Sequence, residues 1–260
     1  MTPGEHVHDN DPGVGPLIFL IAGEPSGEAL GARNVAFLLG AALVRTLRAR
    51  GYFAQRSEPA LMELLDIVAL GTVADVAQLK GLNRAFVAQG LKVMAKRRNI
   101  GLSALIDASR LTRAPLCHDL GFALGPRINA GGRVGQADLG VRLLTTEDPA
   151  EAARIAAQLD QYNEERRAIE STVQEQAEAL LERQGNRAVA VIAGAGWHPG
   201  VIGIVAGRIK EKAGRPAIVI ALDEAGVGKG SGRSISGVDL GAAVLAAKDS
   251  GLLVAGGGHA

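Results

Sequence analysis

Cysteine, aromatic residues, long apolar runs and an excess of charge of either sign are all scarce in this sequence of 260 residues. The single cysteine, Cys117, excludes an internal disulfide framework and a cysteine-rich zinc site. Aromatic residues make up 3% of the chain, so base stacking on exposed aromatic platforms is not expected. The net charge of +1 excludes nucleic-acid binding through bulk charge, and any such contact needs a local basic cluster.

The apolar runs are short. Residues 17–22 and 35–44 fall well below the roughly 20 residues that a membrane-spanning helix needs. The first run also lacks the basic flank of a secretory leader. Apolar residues nevertheless make up 47% of the chain, which is enough for a folded core. We therefore expect a cytoplasmic, globular protein with no membrane partner.

The first part of the chain reads as mainly helical. After a polar tail over residues 1–15, the pattern predicts a strand at 17–22, a turn and a helix at 29–50. It then predicts two helical pieces between 59 and 98, broken at Gly71 and near Gly81, and short helices over 101–125 and 138–143. Residues 125–135 are rich in glycine and are predicted to form a loop.

The strongest prediction is one long helix over Pro149–Gln184, which contains no glycine and no interior proline. Asp148 is a typical N-cap residue for this helix, and proline is common at the first helical position, which Pro149 would occupy. Gly185 is typical of the residue that ends a helix. After this helix the sequence pattern changes to one typical of alternating strands and helices, which predicts a domain boundary near residues 184–187. Strands are predicted at 188–193, 217–222 and 228–234, with a further strand starting at 252–254; helices are predicted at 201–212 and 238–248.

Four segments carry candidate chemistry. In GTVADV, Asp75 follows an apolar run, where its carboxylate can hold a hard cation, although a solvated helix cap is the commoner role. In GPRINAGGR, Arg127, Asn129 and Arg133 suit phosphate binding, and a structural surface loop is the alternative.

The other two segments lie in the alternating part of the chain. In GWHPG, His198 lies between a strand and a helix, where a phosphate contact or proton transfer competes with a structural role. In GSGRS, Ser231, Arg233 and Ser234 suit a phosphate, and a glycine-rich edge strand is the alternative. The basic runs 96–98 and 166–167 are most simply solvated helix faces, with DNA-backbone contact as the minority interpretation.

Taken in order, these motifs resemble one family. ALGTVADV, GPRINAGGR, LDQYNEERRAIE, GWHPGVIGIVAGRI, SGRS and GGGHA follow the order found in the RecJ single-strand DNA exonucleases of the DHH phosphoesterase superfamily. The resemblance implies an α/β fold: the C-terminal helical part of a DHH domain over 34–147, a connecting helix over 148–185 and a small α/β DHHA1 domain over 186–260. It also implies 5′-to-3′ hydrolysis of single-stranded DNA with two Mn²⁺ or Mg²⁺ ions, in DNA repair and recombination.

The resemblance assigns roles residue by residue. It makes Asp75 a metal ligand, places Arg127, Asn129 and Arg133 beside the cleft, and gives Ser231, Arg233 and Ser234 to DNA phosphate. His198 matches the strand–helix loop, and His259 the terminal glycine–histidine motif. A monomer is implied, with a single-strand-binding protein and a helicase as partners of the whole system.

Two departures qualify the resemblance. The aspartate-rich first motif and the Asp-His-His triplet of the family, which supply most metal ligands, are absent from this sequence. We therefore expect a truncated, inactive fragment that keeps the DNA contacts. A non-catalytic single-strand-binding module and a DHH-type phosphodiesterase for oligonucleotides or dinucleotides are the alternatives.

Residues 16–33 (PLIFLIAGEPSGEALGAR) resemble instead the start of lipid-A-disaccharide synthase, so residues 1–33 look foreign to the rest.

Overall fold

Helices form most of the protein, and a small sheet follows the longest of them. A computed structural model describes residues 29–185 and 187–257, with side chains from residue 36 onward. The tail over 1–15, the strand predicted at 17–22 and His259 lie outside the described residues. The helices are α1 (Ala29–Ala49), α2 (Leu65–Ala74), α3 (Gly81–Met94), α4 (Ile100–Ala108), α5 (Gly125–Val134), α6 (Leu139–Thr145), α7 (Pro149–Gln184), α8 (Ile202–Ala213) and α9 (Leu240–Asp249).

The first core lies among helices α1 to α6 and the first half of α7. Helix α2 is apolar on nearly every side and is buried almost throughout, as expected of a central helix. It passes unbroken through Gly71, where the sequence had predicted a break. The prediction was wrong because one glycine costs a helix only about 1 kcal/mol, and burial of this helix outweighs that penalty.

The predicted glycine-rich loop at 125–135 is also wrong, because this segment is helix α5. Short helical segments at Cys117–Asp119 and, in π geometry, Leu120–Leu124 lead into it without a break. Gly131 is buried, and a Cβ added there would lie 2.8 Å from the Gln136 carbonyl oxygen and 3.2 Å from Leu159 on α7. Its small size therefore serves close packing inside a helix and not a turn.

Helix α7 has the predicted bounds because both of its ends are specified by the sequence. The Asp148 carboxylate accepts a hydrogen bond of 2.9 Å from the Ala150 N–H, and Pro149 occupies the first turn. Gly185 stops the helix with a φ of +70°. Side chains from its first half, such as Ile155, join the first core, whereas Val173 and later ones join a second core. One helix thus belongs to two cores.

The second core lies between α7, α8 and a three-stranded sheet of order β1-β2-β3. Strands β1 (Ala190–Ala195) and β2 (Ala217–Leu222) pair in parallel across the α8 crossover, and β3 (Gly228–Arg233) pairs antiparallel with β2. The strand predicted to start at 252–254 is wrong: these residues form an exposed, bent segment that pairs with no described strand. The helix-rich α/β fold class is confirmed. No helix within the described ranges is long and apolar enough to cross a bilayer.

Candidate nucleic-acid interface

A cleft of about 600 Å³ opens between three helices at the junction of the two cores. One wall is α5 with the π segment before it, the floor is the middle of α7, and the other wall is α8. Its lining residues are Phe122, Pro126, Arg127, Asn129, Arg133, Asn163, Arg166, Arg167, Glu170, Ser171, Gln174, Ile204 and Arg208.

Helical spacing explains why these side chains meet. Phe122, Pro126, Asn129 and Arg133 are separated by four, three and four residues, which places them along one face of a continuous helix. The residues of α7 that line the cleft recur at the same spacing between Asn163 and Gln174. The opposite face of α5 carries small buried residues, so each wall has a packed side and a polar side.

The cleft is strongly cationic despite the near-neutral chain. Its lining holds five arginines and one acidic residue, Glu170. Arg127 pairs with Asp160 at 2.8 Å behind the wall, and Arg166 pairs with Glu170. Within residues 29–185 and 187–257, the remaining three cleft arginines, Arg133, Arg167 and Arg208, form no ion pair. The local excess of positive charge therefore suits an anionic ligand.

Arg133 is half-buried beside these cations. Burial lowers the pKa of its guanidinium, and the charges of Arg166 and Arg233 lower it further, while Glu170 opposes the shift. Its Nη1 donates a hydrogen bond of 3.1 Å to the Gly200 carbonyl, which ties α5 to the loop before α8. Cations brought together in a partly desolvated place repel one another, and a bound anion would relieve that repulsion.

Arg166 is held rigidly in the cleft floor. Its side chain is only 13% exposed, and its Nη2 donates a hydrogen bond of 2.9 Å to Asn163 Oδ1. Burial also lowers the pKa of this guanidinium. The Nε atom is buried and makes no hydrogen bond with any described residue. A guanidinium held in one position in this way can bind an oxygen ligand from the cleft with little loss of side-chain entropy.

Arg233 and Ser231 extend the cluster from the sheet. Both lie on β3, where Arg233 Nη1 contacts the Ser231 hydroxyl at 3.2 Å and the Gly232 carbonyl at 2.8 Å. They reach α8 at Gly203, since a Cβ added there would lie 3.0 Å from Arg233 Nη2 and 3.1 Å from Ser231 Oγ. The predicted residues Arg127, Asn129, Arg133, Ser231 and Arg233 thus come from separate elements to one region.

Two predicted residues have local contacts instead. The Ser234 hydroxyl donates a hydrogen bond of 2.6 Å to the Val238 carbonyl, within the turn that follows β3. The His198 Nδ1 atom accepts a hydrogen bond of 3.0 Å from the Gly200 N–H, so this ring shapes the loop that Arg133 contacts. Both residues therefore border the cluster and do not line the cleft.

Asp75 caps the C-terminal end of α2, next to the start of α5, where a Cβ added to Gly125 would meet Ala74 at 3.0 Å. It is half-buried. No group of three or more His, Cys, Asp or Glu side chains that could hold a metal is present among the described residues. These residues alone therefore do not fit a two-metal centre, and Asp75 supplies at most one carboxylate to one.

Sequence reasoning missed Arg166, Arg167 and Arg208. The interpretation of the pair at 166–167 as solvated is wrong for Arg166, because its hydrogen-bond partners and its 13% exposure place it in the floor. A usable signal was present: the polar residues 163, 166, 167, 170, 171 and 174 fall on one stripe of a helix predicted to join two domains.

Comparison with known proteins shows which family this chain resembles. Residues 184–260 match the DHHA1 domain family. Over 90% of its length the chain is 44% identical to the single-stranded-DNA-specific exonuclease RecJ of Dickeya dadantii and 41% identical to that of Escherichia coli. Over the matched residues this chain is therefore similar in sequence to RecJ. It spans 42% of the length of these two RecJ proteins.

Solved RecJ structures share the fold. The RecJ of Thermus thermophilus in complex with Mn²⁺ superposes with a TM-score of 0.72 at 35% identity, covering 88% of this chain and 32% of that one. The same RecJ in complex with Mg²⁺ also has a TM-score of 0.72, at 34% identity, covering 91% of this chain and 34% of that one. The predicted cofactors, Mn²⁺ or Mg²⁺ in the complete enzyme, are therefore those with which RecJ has been solved.

Proposed function

We propose that this chain is the DNA-gripping part of a RecJ-type 5′-to-3′ exonuclease specific for single-stranded DNA, and that it holds the strand in the arginine-lined cleft. The observation that carries the proposal is the convergence of five arginines with one acidic residue on three helices. Guanidinium groups bind phosphate oxygens in pairs of hydrogen bonds, and a contact to phosphate carries no sequence information, which suits binding without sequence preference.

The cleft has a graded set of cations. Arg133 and Arg166 are half-buried and are held in place by hydrogen bonds to Gly200 and Asn163, so they bind with little loss of side-chain entropy. Arg167 and Arg208 are more accessible at the edges, where they add attraction that salt screens. Arg233 and Ser231 add a guanidinium and a hydroxyl from the sheet. We infer that a phosphate lies between Arg133 and Arg233.

The hydrolytic step belongs to the complete enzyme. Two bound metal ions would activate a water and stabilise the leaving oxygen of the phosphodiester. We propose Asp75 as one ligand, and we propose that this chain alone has little or no nuclease activity, because the described residues offer no cluster of further ligands. Incubation with Mn²⁺ and labelled single-stranded DNA tests this; degradation that a metal chelator stops would overturn the inactivity proposal.

Binding is tested by fluorescence anisotropy with a labelled thymidine oligonucleotide at low salt. Arg167→Ala should weaken binding about fivefold and reduce the slope of log affinity against log salt by about 0.7, as expected for one lost phosphate contact on a single strand. The matched control is Arg154→Ala on the same helix, since Arg154 is exposed and lies outside the cleft. Equal losses in both variants, or no binding by the unaltered chain, would refute the proposal.

A length series separates the polymer-binding role from the dinucleotide phosphodiesterase alternative. If the cleft binds a polymer, affinity should rise from a dinucleotide to longer strands until the strand spans the arginine-lined cleft. Equal affinity for a dinucleotide would favour the alternative. The cytoplasmic location stays a prediction from composition. The monomeric state, the roles in repair and recombination, and the partnership with a single-strand-binding protein and a helicase stay predictions of the resemblance.

A further inference from the structure

An exposed aromatic pair stands at the edge of the arginine cleft. Phe122 is 75% exposed and lines the cleft, whereas the other phenylalanines of the described residues, Phe37, Phe53 and Phe86, are buried or half-buried. The ring of His118 stacks against it, with 4.5 Å between ring centroids and an angle of 22° between the planes. Phe122 differs from the other exposed apolar side chains because its ring lines the arginine cleft, so an aromatic face and phosphate-binding cations lie side by side.

The backbone around Phe122 holds the ring outward. It lies in the π segment Leu120–Leu124, and the two ends of that segment, Leu120 and Leu124, are fully buried in the first core. Their side chains anchor the turn, so the ring between them cannot turn inward without displacing them. A π segment inside a helical run is uncommon and is often found where a side chain serves a site.

We propose that Phe122, backed by His118, is a stacking platform for a base of the strand whose phosphates lie on the cleft arginines. This inference rests on the proposed function and adds base contact to it. Bases of every kind have an aromatic face, so stacking stabilises a bound strand without reading its sequence. In a duplex those faces are covered by neighbouring bases, and the platform therefore favours unpaired DNA.

Phe122 and Arg133 are too far apart to contact the same nucleotide, so each would bind a different nucleotide of the strand. Phe122 and Arg133 are eleven residues apart on one helical face, which corresponds to about 16 Å at 1.5 Å per residue. Asn129 lies between them on the same face, where its amide can meet the intervening backbone. A strand laid along this stripe would place a base on Phe122 while a phosphate further along meets Arg133.

The test compares a thymidine decamer with an abasic decamer that has the same phosphate backbone. Phe122→Ala should weaken binding of the thymidine decamer about tenfold, as loss of one stacked base predicts, and should change abasic binding less than about twofold. Phe122→Trp should retain thymidine binding. Arg133→Ala should weaken both ligands. The matched control is Leu116→Ala, because Leu116 is an exposed apolar residue just before the same helical run and does not line the cleft.

Phe122→Leu keeps an apolar side chain without an aromatic face, and it guards against a folding defect in the alanine variant. In the unaltered chain, a decamer with one 2-aminopurine should lose fluorescence on binding for at least one position of the probe, and the leucine variant should abolish that loss. The inference is overturned if Phe122→Ala weakens both decamers equally, if it weakens neither, or if no probe position is quenched. Binding of neither decamer by the unaltered chain would instead remove the proposed function.

Discussion

Asp160→Asn should lower stability and raise DNA affinity at the same time. Asp160 holds Arg127 through a contact of 2.8 Å between Oδ1 and Nε, and the two side chains are 15% and 14% exposed. Removing one partner of a buried ion pair destabilises a protein by about 3–5 kcal/mol. The residual exposure, the amide oxygen that asparagine keeps, and the 2.8 Å bond from Arg127 to the Ala123 carbonyl all reduce that loss. We expect a loss of about 2 kcal/mol, or a fall in Tm of about 4–8 °C.

The gain in binding has the same origin. Arg127 lines the cleft, but its charge is largely offset by the carboxylate behind it. Without that carboxylate the guanidinium becomes an additional free cation, so affinity for single-stranded DNA should rise about threefold to tenfold at low salt. The dependence of log affinity on log salt should also steepen by about 0.7.

Urea unfolding and fluorescence anisotropy measure the two effects. The matched control is Glu164→Gln, which removes the same charge one turn further along α7. Glu164 is exposed, and its one ion pair among the described residues is with Arg110 at 3.8 Å, the same arginine that Asp160 also contacts at 3.8 Å. That variant should change stability by less than about 0.5 kcal/mol and affinity by less than about twofold. If Asp160→Asn behaves like the control in both assays, Arg127 and Asp160 are not coupled as described.

Two further predictions concern a buried acid and a close approach. Burial raises the pKa of Asp66 to about 6, while the N–H of Ile67 opposes the shift. The folded protein therefore gains stability from the protonated carboxyl below about pH 4, and it loses that stability as the pH rises through 6. Asp66→Asn should remove the resulting fall of up to about 3 kcal/mol in the free energy of unfolding between pH 4 and 7, measured by urea unfolding. A pH profile that is the same in the variant would refute this prediction. Gly203→Ala should displace Arg233 and weaken DNA binding about threefold, while helix propensity raises stability by up to about 1 kcal/mol. Gly207→Ala on the same helix, where an added Cβ meets nothing within 4 Å, should leave binding unchanged, and equal effects of the two would contradict the assignment.

The parts of the fold that sequence reasoning predicted well are those with signals at both ends. Helix α7 was predicted to the residue because Asp148, Pro149 and Gly185 mark its limits. Strand β2 was likewise predicted with its observed bounds, since Gly214 and Pro216 precede its apolar run and a polar turn follows it. In both cases local preference and tertiary packing favour the same structure.

The helix α5 was missed because a glycine has two uses that look alike in a sequence. It can allow a turn, or it can let another element approach closely, and only the partner distinguishes them; for Gly131 the partners are Gln136 and Leu159. The same limitation applied to the cleft. Arg133 was predicted from its motif. The polar stripe of α7 marks Arg166 as a candidate, but its meeting with Arg133 and Arg208 depends on the packing of α7 and α8, which no local pattern contains.

The floor of the cleft is the stretch of α7 from Asn163 to Gln174, where the helix passes from one core to the other. Neither core alone contains a complete binding surface, because one wall belongs to the first and the other to the second. A bound strand therefore contacts residues attached to both cores, and its binding stabilises their present arrangement. Ligand binding should raise the melting temperature of both parts together, and a chain cut within this stretch should lose its grip on DNA even where each piece keeps its own core.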